Sequence, residues 1–137
     1  MNPVAVACDS AANIYVADNG NGRIQKFTSR GEFLGVIGSY GKGPGQFTSP
    51  AAVAVDTNGN ILVADSVTDE VQMLDALGNQ LTSFTANASS LSIDRANTLW
   101  VVNREKGQIE HYTLQGQSLS TFGARTNGVN HHYIVIR

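Results

Sequence analysis

The chain has 137 residues, with 9 Lys and Arg against 11 Asp and Glu and a formal net charge of -2. That length suits one domain burying about two-thirds of its unfolded surface, and the charge balance excludes a global pull toward nucleic acid or an anionic membrane. A single cysteine, Cys8, excludes an intrachain disulfide and a zinc site built on cysteines, and no apolar run approaches the ~20 residues that span a bilayer.

Taken in order, the chain opens on Pro3-Val4-Ala5-Val6-Ala7-Cys8-Asp9, a strand pattern. Cys8 falls inside this apolar run and is expected to be a small buried core residue. The same N-terminus lacks the basic and apolar segments of a leader, which tilts the reading slightly toward the cytoplasm. Ile14-Tyr15-Val16-Ala17-Asp18, Arg23 to Phe27 and Phe33 to Ile37 follow as three more short strands. Asn21-Gly22 and Arg30-Gly31 supply turns, because glycine and asparagine tolerate positive φ.

The connection Gly38-Ser39-Tyr40-Gly41-Lys42-Gly43-Pro44-Gly45-Gln46-Phe47 reads as a flexible glycine-rich loop. It shares glycines with phosphate-binding loops, but lacks their Lys-Ser/Thr and the helix that follows. The strand pattern then repeats over Pro50–Asp56, Asn60–Asp65, Glu70–Leu74 and Leu81–Phe84, and again over Ala88–Asp94, Thr98–Asn103, Gln108–Tyr112 and Leu119–Phe122. Asp9 recurs 47 residues on as Asp56, and Asp56 recurs 38 residues on as Asp94. The difference lies in one place, the long first connection against a short second one.

The first and second strands of each unit are apolar on both faces, as in Ile61-Leu62-Val63-Ala64, so they need cover on both sides. The third strands alternate, with Gln72 between Val71 and Met73, and are expected to lie further out. Four-stranded antiparallel sheets with two apolar faces, repeated about every 40 residues, stack as blades around an axis. The expected fold is all-β: three four-stranded β-propeller blades at 3–38, 50–85 and 88–123, an incomplete or half propeller. The tail 128–137 can be laid on Gly45 to Asp56 as the first strand of a fourth blade.

Val-Ala-Cys-Asp and Val-Ala-Val-Asp, then Ile-Tyr-Val-Ala-Asp, Gly-Asn-Gly-Arg-Ile-Gln-Lys-Phe and Gly-Lys-Gly-Pro-Gly-Gln-Phe resemble the NHL repeat. The resemblance covers residues 3 to 123. It departs where Asn103 replaces the aspartate seen at Asp18, and where Glu70 and Gln108 replace the arginine seen at Arg23. It implies a propeller that is typically six-bladed, so the chain is expected to be part of a longer protein, with two alternatives: half of a ring closed by a homodimer, or a tail that caps the third blade.

The resemblance also implies that the loops between second and third strands, together with the connections between units, form a partner-binding end. The candidates there are Tyr40, Lys42, Arg23, Arg104 and Lys106. The expected function is a non-catalytic scaffold that binds a protein partner, with no cofactor, no metal and no membrane role. Single-stranded RNA is the alternative partner, since some NHL domains bind it with the same end, but the low basic count argues against it. A metal-dependent propeller enzyme ranks third. The inner strands carry Val4, Val6, Val53, Val55, Leu91 and Ile93 and no histidine, and no catalytic constellation is placed by sequence.

Other polar positions have structural explanations. Asp18, Asp65 and Asn103, and likewise Asp9, Asp56 and Asp94, are expected to bond nearby amides and set turns rather than ring a cation. His131 and His132 are adjacent on a strand pattern and cannot chelate one metal together. His111 is expected at the surface. Asn87-Ala88-Ser89 is a glycosylation sequon that has meaning only for an exported chain.

Overall fold

The computed structural model describes residues 2–123; the tail expected as a fourth-blade strand lies outside them. The first sheet has strands β1 (Pro3–Cys8), β2 (Ile14–Asp18), β3 (Arg23–Phe27) and β4 (Phe33–Ile37), in that order and antiparallel. Two short parallel strands follow in the long connection, β5 (Ser39–Tyr40) and β6 (Gln46–Phe47). The second sheet is β7 (Pro50–Val55), β8 (Ile61–Asp65), β9 (Glu70–Leu74) and β10 (Gln80–Thr85). The third is β11 (Ser90–Ile93), β12 (Leu99–Asn103), β13 (Gln108–Tyr112) and β14 (Ser118–Gly123). Each sheet is an up-and-down meander, the topology of a propeller blade.

The helical content described is one 3-10 turn, Asn19–Asn21. No helix among the described residues is long and apolar enough to cross a membrane.

Burial shows how the blades stack. All five residues of β8 are buried, as an apolar strand covered on both sides requires. Val53, Ile61, Val63 and Leu74 of blade 2 join Tyr15, Ala17, Ile24 and Ile37 of blade 1 in one core. Ala52, Leu62, Val71 and Met73 join Leu91, Leu99 and Val101 of blade 3 in the other. Alternation along each strand sends successive side chains to these two cores. Fully burying each large side chain contributes about 1.5–3 kcal/mol, so blade 2 is stabilised from both sides and the end blades from one.

The end blades therefore carry open faces. Val4, Val6 and Val36 of blade 1 are 50%, 65% and 45% exposed, and Phe122 of blade 3 is 52% exposed. Val4 and Val6 thus lie on this outer face and do not line an axial channel. Cys8 lies on it too and is exposed, which corrects the expectation of a core cysteine. It stands two residues from Val6 and so shares that strand face.

The third strands lie outside the first two, as expected, and on one of them Gln72 is buried at 3% exposure, its amide bonding the backbone of the long connection. Two further expectations are corrected. His111 is half-buried: its ring stacks on Trp100 at 3.9 Å, and its Nε2 lies 2.7 Å from Thr98 Oγ1. The long connection, expected to be flexible, is packed. Phe47 at its end is fully buried in the core between blades 1 and 2.

That packing explains two glycines. A Cβ on Gly22, at φ +61°, would lie 2.4 Å from the Phe47 carbonyl oxygen. A Cβ on Gly38, at φ +82°, would lie 2.3 Å from the Phe47 ring. Both conformations favour glycine, and both leave no room for a side chain.

Candidate functional site

Antiparallel alternation collects the β2–β3, β8–β9 and β12–β13 loops and the inter-blade connections at one end. Contacts there cross between neighbouring segments. Asn19 Nδ2 donates to Ser49 Oγ at 2.6 Å and to the Pro50 carbonyl at 3.2 Å. The Ser66 amide donates to the Ser49 carbonyl, and the Ala86 amide to the Asp69 carbonyl at 2.9 Å. Asn87 Nδ2 donates to a Glu105 carboxylate oxygen. The end is a knitted surface and not a set of independent loops.

Under each loop sits one polar residue that closes it. Asp18, fully buried, accepts from the Asn2 amide, Asn21 Nδ2, Arg23 Nε and Gln25 Nε2 at 2.8–3.0 Å. Burial pushes its carboxyl up, but these donors together outweigh burial and bring it down to about 2. Asp65 accepts from the amides of Thr48, Ser49, Val67 and Thr68. Asn103 accepts from the Lys106 amide at 3.1 Å. These are the turn-setting bonds expected of the three positions.

At the opposite end Asp9, Asp56 and Asp94 do the same work. Asp9 accepts from the amides of Ala11 and Asn13 and from Tyr15 Oη at 2.9 Å. Asp94 accepts from the amides of Ala96 and Thr98, from Thr98 Oγ1 and from Trp100 Nε1 at 2.8 Å. Burial raises the Asp94 carboxyl, and the Trp100 and Thr98 bonds bring it to about 2. A hollow of about 290 Å³ opens beside these carboxylates, between the ends of β1, β7 and β11. Each carboxylate is engaged by its own turn, Asp56 through Oδ1, and no cluster among the described residues could hold a metal ion.

The candidates from sequence fall into separate places. Arg23 is tied down: its Nε lies 3.0 Å from Asp18 Oδ2. Tyr40 is 68% exposed and sits over Gly22, whose Cβ position is 3.0 Å from the Tyr40 Cα. Lys42 is exposed in the same connection. Arg104 and Lys106 are exposed on the β12–β13 loop, which belongs to blade 3.

Sequence reasoning missed the residues at the centre of the third strands. Val16 pairs with Gln25, Val63 with Gln72 and Val101 with Glu110, the same register position in each blade. All three polar residues are buried. Gln72 grips the long connection at two points: Oε1 accepts from the Gly45 amide and Nε2 donates to the Gln46 carbonyl, both at 2.8 Å. A polar residue directly after an apolar one at the centre of every third strand, Ile24-Gln25, Val71-Gln72 and Ile109-Glu110, was the available signal.

Glu110 has no such segment above it. The connection after blade 2 is short, and Ala86 and Ala88 are its buried residues. A cavity of about 240 Å³ remains between blades 2 and 3, lined by Asp69, Asn87, Asn103, Glu105, Lys106 and Glu110 among others. Glu110 Oε1 accepts from Tyr112 Oη at 2.9 Å, and Oε2 accepts from Asn103 Nδ2 at 3.2 Å. Burial and then the Glu110 bond push the Tyr112 hydroxyl up to about 12.

Similar solved structures share this architecture. Virginiamycin B lyase from Staphylococcus aureus superposes with a TM-score of 0.72 at 14% identity, over 98% of this chain and 45% of the lyase. The WD40 repeats of RRP9 give a TM-score of 0.72 at 16% identity, over 90% of this chain and 39% of that one. Hydrazine synthase from Kuenenia stuttgartiensis gives 0.71 at 14% identity, over 88% and 35%. The chain thus spans less than half the length of each. No curated protein matches it. A family model described as a 6-bladed beta-propeller matches residues 4–115. The chain belongs to that family of six-bladed β-propellers, and its described residues form three blades.

Proposed function

We propose that the chain is a non-catalytic interaction module of NHL type, which docks a protein partner on the end formed by its β2–β3-type loops and inter-blade connections. The observation that carries this reading is the knitted end itself. Bonds such as Asn19 to Ser49 and Ala86 to Asp69 hold the loops in place. They present Tyr40, Lys42, Arg104 and Lys106 to solvent from a preorganised frame, which lowers the ordering cost of binding. RNA is the weaker reading, because Arg23 already spends its charge on Asp18.

The test compares two charge-reversed variants as bait in native extract. One reverses Lys42, Arg104 and Lys106 together with Tyr40→Ser. The control reverses Arg30 and Arg95, in turns at the opposite end. Specific capture is expected to disappear with the first variant and survive in the control. Equal capture by both removes the reading.

A second reading concerns the open end faces. Within the chain, the face of blade 1 carrying Tyr15 and Ile24 packs on the face of blade 2 carrying Val53 and Val63. Blade 3 offers the equivalent of the first face, with Trp100 and Ile109, and blade 1 offers the equivalent of the second, with Val6 and Val16. Three blades here and six in the family fit two copies joined face to face twice, a C2 ring.

A further inference from the structure

We propose that the cavity between blades 2 and 3 is a receptor for a cationic side chain, lysine or arginine, of the partner protein, with Glu110 as the group that holds it. The inference rests on the protein-docking reading above and names the chemistry of the partner at one point of that end.

The chain supplies its own comparison. Between blades 1 and 2 the matching position is a neutral glutamine, and its donor and acceptor are both consumed by the Gly45–Gln46 backbone. Between blades 2 and 3 the position is a carboxylate, which can only accept. It is 8% exposed and receives the two bonds from Tyr112 and Asn103. A carboxylate offers about four acceptor sites, so capacity for further donors remains.

No cation lies within ion-pair distance of Glu110 among the described residues; the ion pair found there is Arg23 with Asp18. A buried charge of this kind is stabilised by an opposite charge with hydrogen-bond donors. Blade 1 shows that chemistry at its own loop end, where the arginine at the start of β3 bonds the buried aspartate. In blade 3 the residue at the start of β13 is Gln108, so the cation must come from elsewhere. Asp69 and Glu105 at the cavity add acceptor charge, against the single cation Lys106. At the opposite end each carboxylate accepts from backbone amides of its own turn, whereas the bonds to Glu110 among the described residues come from side chains alone.

The experiment titrates the isotope-labelled full chain with the blocked peptides Gly-Gly-Arg-Gly-Gly and Gly-Gly-Lys-Gly-Gly, and with the same peptides carrying Gln or Glu at the centre. Cationic peptides are expected to give saturable amide shifts at Asn87, Asn103 and Lys106, at least tenfold tighter than the Gln peptide. The variant E110Q, checked to be folded at the titration temperature, is expected to lose that preference.

The proposal is overturned if cationic peptides give no saturable shifts or if E110Q keeps the preference. Partner capture that depends on the loop end but ignores E110Q sinks this proposal and leaves the docking reading standing. Capture that ignores the loop end sinks the docking reading, whatever the peptides do.

Discussion

Gln72 and Glu110 stand at one register position in successive blades, opposite Val63 and Val101, and differ by a single donor. Gln72 uses that donor on the Gln46 carbonyl; Glu110 lacks it and faces a cavity. Exchanging the two chemistries should therefore give unequal costs. Q72E leaves the Gln46 carbonyl without its partner and buries a charge, so it should destabilise by about 1–3 kcal/mol or more. E110Q keeps the acceptor for Tyr112 and removes a buried charge but loses the bond from Asn103 Nδ2, so it should cost about 0.5–1.5 kcal/mol, less than Q72E. Urea midpoints at an unchanged slope check both. A more damaging E110Q than Q72E contradicts the assignment of roles.

Phe47 anchors the connection that Gln72 grips. It is fully buried, while Tyr40 in the same connection is 68% exposed. Phe47→Ala should cost about 3–5 kcal/mol, and Tyr40→Ala should stay within about 0.5 kcal/mol. Gly22→Ala should resemble Phe47→Ala in direction, because its Cβ meets backbone at Phe47. Thermal or urea unfolding of the three variants checks the order. Near-neutral behaviour of Phe47→Ala means that the connection is a loose loop after all.

The repeat was legible because its signal is redundant. Three copies of an apolar run ending in aspartate, each followed by a short second strand, a third strand and a glycine four residues beyond it, placed the sheets without any single residue deciding. The cover of β8 on both sides followed from Ile61-Leu62-Val63-Ala64 alone. What escaped was whatever depends on the neighbouring blade. Cys8 reads as core in any local window, yet it is exposed because no blade covers its face. Gln72 reads only as the polar position of an alternating strand, and nothing local shows that a connection 26 residues away in sequence folds over it. The cavity at Glu110 follows from a shortened loop together with the face that loop uncovers, and only the packed structure puts those side by side.

The carboxylates predict the acid limit of the fold. Asp18 and Asp94 titrate at about 2 in the folded chain, against an ordinary value of 3.8. A depressed folded value means stability that is fully present above the unfolded value and lost as pH falls through the folded one. Unfolding free energy should therefore be flat above about pH 5 and fall between about pH 4 and pH 2. Asp18→Asn should lower stability at neutral pH, since an amide accepts fewer of the four donors, and should flatten the acid slope. Chemical denaturation at stepped pH measures this. A parent and variant with the same acid slope remove Asp18 as a cause.

The open faces predict association. Val6 and Val36 belong to an exposed apolar face of blade 1 and Phe122 to one of blade 3, and contiguous apolar surface of this kind is rare on monomers. If the ring closes from two copies, sedimentation should report twice the 14.5 kDa chain mass at micromolar concentration. Val6→Glu with Val36→Glu should return the chain to single mass with its strand signal intact, because both side chains already reach solvent and their charge disturbs no core inside the chain. The mass, not the fold, carries the information: a well-behaved monomer before substitution means these faces do not meet in a second copy. A dimer that survives both glutamates means that the copies join elsewhere.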